Sequence, residues 1–131
     1  MEDNFTLQII SPEKILFSES VKMVTVPSYE GDMSILKNHI SIITFLIPGI
    51  IKVQKKEGNF NQFFAEQGTV EYFNDILIVL SSSVINIKDL SKDLIEKLNQ
   101  DTKNKLAAKD ITDNDRYILN HKLDAIKGIR V

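Results

Sequence analysis

The chain has 131 residues, the usual size of one domain and too short for two large ones. Hydrophobic residues make up 43% and charged residues 26%, which excludes wholesale disorder. A formal net charge of −2 excludes a nucleic-acid binder that works through a strong basic field, and the absence of cysteine excludes disulfides, thiolate metal sites and a Cys nucleophile.

The opening Met1–Glu2–Asp3–Asn4 is acidic, unlike the basic start of a signal or transit peptide, so the chain is expected to stay where it is made. The longest nearly apolar run, Ile40 to Ile51, is broken by Ser41, Thr44 and Pro48–Gly49. It falls well short of the roughly twenty apolar residues a membrane-spanning helix needs.

From Phe5 to Lys88, turn residues recur at short intervals: Ser11–Pro12, Pro27–Ser28, Gly31, Pro48–Gly49, Gly58–Asn59, Gly68 and Asn74–Asp75. The runs between them are rich in Ile, Val, Phe and Thr, and several alternate with period two, as in Phe5, Leu7 and Ile9 against Thr6 and Gln8. Strands are expected over 5–10, 14–17, 21–27, 40–47, 50–55, 61–66, 69–73, 76–80 and 84–88. Many short strands with close turns imply an antiparallel β-sandwich or barrel.

Near Asp89 the pattern changes, and the division expected is a sandwich over 1–88 and an α-helical hairpin over 89–131. Leu90, Leu94 with Ile95, and Leu98 recur at helical spacing behind Ser91, a suitable N-cap. Lys109–Asp110–Ile111 reads as a connector, and Thr112 with Asp115 resembles a capping box in which Asp replaces the usual Glu or Gln. Leu119, Leu123 and Ile126 then form a narrow stripe, flanked by Ile118, Ala125 and Ile129. Two such thin-faced helices bury too little to stand alone, so the hairpin must lean on the sandwich or on another protein.

Catalytic candidates are few. His39 has Asp32, Ser34 and Ser41 nearby in sequence, but no strand–turn–helix nucleophile elbow accompanies them, and it reads as a loop histidine making structural hydrogen bonds. His121, between Asn120 and Lys122, reads as a solvated or partner-facing helix residue. Asp110, Asp113 and Asp115 lack the glycine-centred loop and distal Glu of a calcium motif, and capping explains them better. Lys52, Lys55 and Lys56 beside Phe60, Phe63 and Phe64 read as a hairpin with a solvated basic turn and a packed aromatic face. No catalytic, cofactor or metal residue is assigned.

The segment Glu30–Gly31–Asp32–Met33–Ser34–Ile35–Leu36–Lys37–Asn38–His39 resembles the Glu-Gly-acidic-x-Gly-Ile-x-Pro-Gly-His signature of the ATP synthase epsilon subunit family. In the same order, Ile47–Pro48–Gly49–Ile50–Ile51–Lys52–Val53 is similar to that family's Pro-Gly strand opening. Gln67–Gly68–Thr69–Val70–Glu71, followed by Asn74 to Leu80, resembles its Gly-x-hydrophobic-Glu-Val strand pair. Ile87–Lys88–Asp89–Leu90 falls where its sandwich gives way to helices. Ser34 replaces a glycine and Lys37–Asn38 replaces Pro–Gly, although Asn tolerates the same left-handed turn.

The resemblance implies a non-catalytic rotor subunit in the central stalk of a proton-translocating F-type ATP synthase. Its implied partners are the gamma subunit, the c-subunit ring and, through the C-terminal helices, the catalytic beta and alpha subunits. It implies a peripheral place on the cytoplasmic face of the bacterial inner membrane, held by the complex alone. Carried onto this chain, the interface falls on Glu30, Gly31, Asp32 and His39, with Asp32 facing the ring and His39 near gamma. Some bacterial members bind ATP through an Ile/Leu-Asp-x-x-Arg-Ala motif; here Ser91, Leu94 and Ile95 stand at the Asp, Arg and Ala positions, so no ATP binding is expected. The competing readings are a free-standing β-sandwich that binds a ligand or peptide, and an enzyme built around His39.

Overall fold

The computed structural model describes residues 3–55 and 58–129. Met1, Glu2 and Lys56, invoked above for the acidic start and the basic turn, lie outside the described residues. Ten strands precede two helices: β1 (Phe5–Ile10), β2 (Ile15–Val21), β3 (Met23–Ser28), β4 (Gly31–Leu36), β5 (Ile42–Leu46), β6 (Gly49–Gln54), β7 (Phe60–Ala65), β8 (Gly68–Phe73), β9 (Ile76–Ser81), β10 (Val84–Asn86), α1 (Lys92–Leu106) and α2 (Asp113–Lys127).

The strands form a nearly closed barrel that divides into two five-stranded layers. One runs β10-β7-β6-β3-β4 and the other β5-β8-β9-β1-β2, joined between β3 and β5 by the single pair Ser28–Leu46. Every pairing is antiparallel except β1 with β9, a parallel contact between strands some seventy residues apart that no local pattern signals. Inward side chains at alternate positions make one core: Leu7, Ile9, Val24, Val26, Ile35, Ile51, Val53, Val70, Leu77 and Val79 are all fully buried. Edge-to-face pairs of Phe17 with Phe63 and of Phe5 with Tyr72 fill it out.

Two strands differ from expectation. The polar stretch 31–36 forms β4, an edge strand that pairs only with β3 and buries Ile35 alone, so its sequence carries too little apolar alternation to stand out from a loop. Strand β2 extends to Val21 because Ser18, Glu19 and Ser20 sit on an exposed edge, where a strand needs no apolar side chains. The helical elements match their start signals. Ser91 Oγ accepts from the Leu94 N–H at 3.1 Å, and Thr112 and Asp115 complete a reciprocal capping box.

The helices lie on the outer side of the first layer. Odd-numbered Ile51 and Phe63 point inward, so their neighbours Ile50 and Phe64 point outward, and with Ile85 they receive Leu90, Leu94, Ile95, Leu98, Ala125, Ile126 and Ile129 in a second core. The ion pair between Lys122 Nζ and Glu66 at 2.8 Å, with Lys122 only 7% exposed, fixes α2 against the turn after β7. The hairpin therefore leans on its own sandwich.

Gly68 opens β8 where the strand crosses β9, and a Cβ there would lie 1.8 Å from the Leu80 carbonyl oxygen, inside backbone that cannot yield. Gly68→Ala is expected to lower stability by roughly 1–3 kcal/mol, the usual cost of overpacking, in a denaturant titration; wild-type stability would contradict this packing.

Candidate functional site

The second layer presents an outer face that the described helices only border, at Phe45 and Thr69, and most of its side chains are apolar. In register across β5, β8, β9 and β1, one row holds Phe45, Thr69, Leu80 and Ile10; the next holds Ile43, Glu71, Ile78 and Gln8; a third holds Phe73, Ile76 and Thr6. Ile43, Phe45 and Phe73 are 75%, 68% and 65% exposed, and Ile76 and Leu80 are exposed beside them. Adjacent exposed aliphatic and aromatic side chains over several strands are what a protein partner covers.

The resemblance-derived residues lie at the two ends of β4, the edge strand of the first layer. Glu30 and Gly31 form the tight turn between β3 and β4, with Gly31 at φ 123 and Ser28 Oγ donating to its carbonyl at 2.6 Å. Asp32 follows on the exposed start of β4. His39 lies beyond the other end of that strand, whose extended backbone alone separates Asp32 from Leu36 by roughly 13 Å. The fold thus separates one group, Glu30, Gly31 and Asp32, from His39.

His39 is held structurally. Its Nδ1 donates to the Ile40 carbonyl at 2.7 Å, its backbone N–H donates to Leu36, and its ring meets Tyr72 edge-on. Neighbouring Asn38 takes φ 67, the left-handed turn that its place in the motif requires, and its N–H donates to Asp75 Oδ1 at 3.1 Å. Asp75 also accepts from the Tyr72 hydroxyl at 2.6 Å. Asn74 and Asp75 both have positive φ, making the tight turn from β8 to β9. The loop before β5 is thereby tied to that turn without the family's Pro–Gly.

These contacts shift two protonation equilibria. Burial, then the hydrogen bond to Asp75 and its charge, pushes the Tyr72 hydroxyl from 10.0 to about 12. The hydrogen bonds from Tyr72 and from the Asn38 amide hold the Asp75 carboxyl below its ordinary value.

The remaining candidates take structural roles. Lys55 pairs with Glu19 at 2.9 Å and lies over the Phe17 ring, while Phe63 and Phe64 are buried in separate cores. Lys55, in the turn read as basic and solvated, is partly exposed and engaged by a carboxylate and a ring. At the three positions that align with the nucleotide motif, Ser91 caps α1, and Leu94 and Ile95 pack in the second core that docks the hairpin. His121 is half-buried on α2, with its ring 4.5 Å from that of Tyr117. None of the described helices is long and apolar enough to cross a membrane.

Residues 4–87 match the family model of the ATP synthase Delta/Epsilon chain β-sandwich domain. Over 98% of its length the chain is 46% identical to the ATP synthase epsilon chain of Pelagibacter ubique, covering 99% of that protein. The chain belongs to the ATP synthase epsilon chain family. A second relative, the epsilon chain of Parvibaculum lavamentivorans, is 34% identical over 99% of this chain and 98% of its own length. The fold is also that of a chain in the Euglena gracilis mitochondrial ATP synthase, with a TM-score of 0.76 at 17% identity, over 97% of this chain and 79% of that one.

The uncovered face leaves a signal in the sequence. Ile76 to Leu80 is apolar at every position, and Ile42, Ile43, Phe45 and Leu46 are apolar on both sides of β5. A sandwich strand that is apolar on both faces must be covered twice.

The Tyr72–Asp75 pair gives opposite pH limbs. Asp75, lowered on folding, stabilises the protein at neutral pH and loses that contribution as pH falls through its folded value. Tyr72, raised on folding, contributes fully below pH 10.0 and loses its contribution as pH rises toward about 12. Tyr72→Phe is expected to move the Asp75 carboxyl titration, followed by NMR, up toward the ordinary range, and to abolish the alkaline limb. An unmoved Asp75 titration would contradict the assignment.

Proposed function

We propose that this epsilon chain is a non-catalytic rotor subunit of a bacterial F-type ATP synthase that binds the gamma subunit through the uncovered face of the second layer. The observation that carries this reading is that face itself: Ile43, Phe45, Phe73, Ile76 and Leu80 form a surface that demands a partner, in a chain whose family is part of ATP synthase. The β3–β4 turn, with Glu30, Gly31 and Asp32, is the contact to the c-subunit ring. His39, at the other end of β4, helps hold the loop that borders gamma. Through these contacts ring rotation is passed to gamma, and proton transport is coupled to ATP synthesis. The complex keeps the subunit at the cytoplasmic face of the membrane.

The hairpin supplies regulation. Docked on the first layer it is a compact cap, and released it extends toward the catalytic alpha and beta subunits. Two helices of 15 residues span about 22 Å each. A free-standing ligand-binding sandwich is the weaker reading, because the apolar surface is a sheet face, where a flat protein partner fits better than a small molecule.

Three outcomes test the reading. A double change, Ile43→Ser with Phe45→Ser, removes exposed apolar groups, so the isolated chain should melt as wild type while co-purification of gamma falls at least tenfold. Full gamma recovery would contradict the assignment of the face. Asp32→Lys should leave the isolated protein folded and weaken proton-driven ATP synthesis; normal synthesis would remove Asp32 from the ring contact. Deleting residues 89–131 should leave a folded sandwich, since its core is separate from the second one, and should raise ATP hydrolysis while synthesis persists. Unfolding of the truncated chain would show that the hairpin is needed to complete the sandwich.

A further inference from the structure

Helix α2 has a second contact that its apolar stripe does not explain. Asn114, Tyr117 and His121 recur at three- and four-residue spacing along one side of the helix, toward the β3–β4 turn. The Tyr29 hydroxyl, from that turn, donates to Asn114 Oδ1, and the Tyr117 hydroxyl donates back to the Tyr29 carbonyl at 3.0 Å. The two rings lie 5.1 Å apart, and the His121 ring backs Tyr117 at 4.5 Å. The turn is thus held by side chain and backbone at once, by residues 85 and 88 positions away.

The location gives this contact its effect. The apolar anchors of α2 in the second core, Ala125 and Ile126, are at its C-terminal end, as is the Lys122 ion pair. The first turns of α2, by contrast, place Arg116 and Tyr117 at the surface and hold no buried residue. Across the described residues, the tyrosine pair is the hydrogen-bonded tie between that end of the helix and the sandwich.

We propose that Tyr29 and Tyr117 form a latch that makes the β3–β4 turn and the hairpin one thermodynamic unit, so that docking the hairpin orders the turn and engaging the turn shifts hairpin docking. Coupling of this kind is reciprocal: a ligand that binds the turn better with the latch open favours the released hairpin by the same factor by which release favours the ligand. The link stands on the contacts themselves. Its regulatory meaning, that the ring reports through the turn to the hairpin, rests on the reading of Glu30–Asp32 as the ring contact.

Hydrogen exchange of the full chain, read residue by residue, tests the latch without any partner. Tyr117→Phe keeps the ring and removes only the hydroxyl that holds the turn. Exchange in residues 29–32 should rise about fivefold, the factor one net hydrogen bond confers, with β8 and β9 unchanged. In the reciprocal variant, Tyr29→Ala, residues 116–119 of α2 should exchange faster by a similar factor. Unchanged exchange in the turn of Tyr117→Phe, or acceleration confined to the mutated element in both variants, would overturn the latch. If Tyr29→Ala loosens every element equally, Tyr117→Phe alone decides. A latch that passes this test while purified c-ring leaves exchange in residues 29–32 and 116–119 of the wild type unaltered would refute the ring reading and leave the latch standing.

Discussion

The structure turns on an imbalance in covering: one sandwich has two apolar outer faces, and the hairpin covers one of them. Hydrophobic burial is not directional, so each face is stabilised by whatever surface removes it from water. On the first layer that surface is the chain's own α1 and α2, set around Phe64 and Ile126. On the second layer Ile43, Phe45 and Phe73 stay exposed among the described residues. A chain built this way closes its own core and leaves one apolar face for a partner.

The two coverings differ in kind. The hairpin's buried surface is thin and partly polar: Thr102 is fully buried with its hydroxyl returned to the Leu98 carbonyl, and Asn99 carries a buried oxygen without a hydrogen-bond partner. The tie of α2 to the sandwich through Lys122 and the half-buried Glu66 is ionic, and water can replace such a pair more readily than apolar packing. Such a cap suits a part that docks and releases, whereas the uncovered face, continuous over several strands, suits a permanent partner.

Much of this was legible in the sequence, and the misses have physical causes. Period-two alternation, turn residues and the shift at Asp89 located nine of the ten strands and both helices, and the caps at Ser91 and Thr112 fell where their chemistry required. Strand β4 was missed because an edge strand buries so little, and the parallel pairing of β1 with β9 because register between distant strands leaves no local trace. The ordered motifs identified the family, yet they named loop residues. The uncovered face lies in strands that are apolar on both sides, and only the fold assigns each residue to one side. Asn38 shows the opposite case, where local chemistry foretold a left-handed turn without knowledge of its tertiary tie to Asp75.

The most direct test of the uncovered face is side-chain footprinting by hydroxyl radicals, comparing the free chain with the assembled synthase. Ile43, Phe45 and Phe73 should be heavily modified in the free chain and protected in the complex, while buried Leu7 and Val79 stay unmodified in both. Equal modification of those three side chains in the free and assembled states would contradict the account.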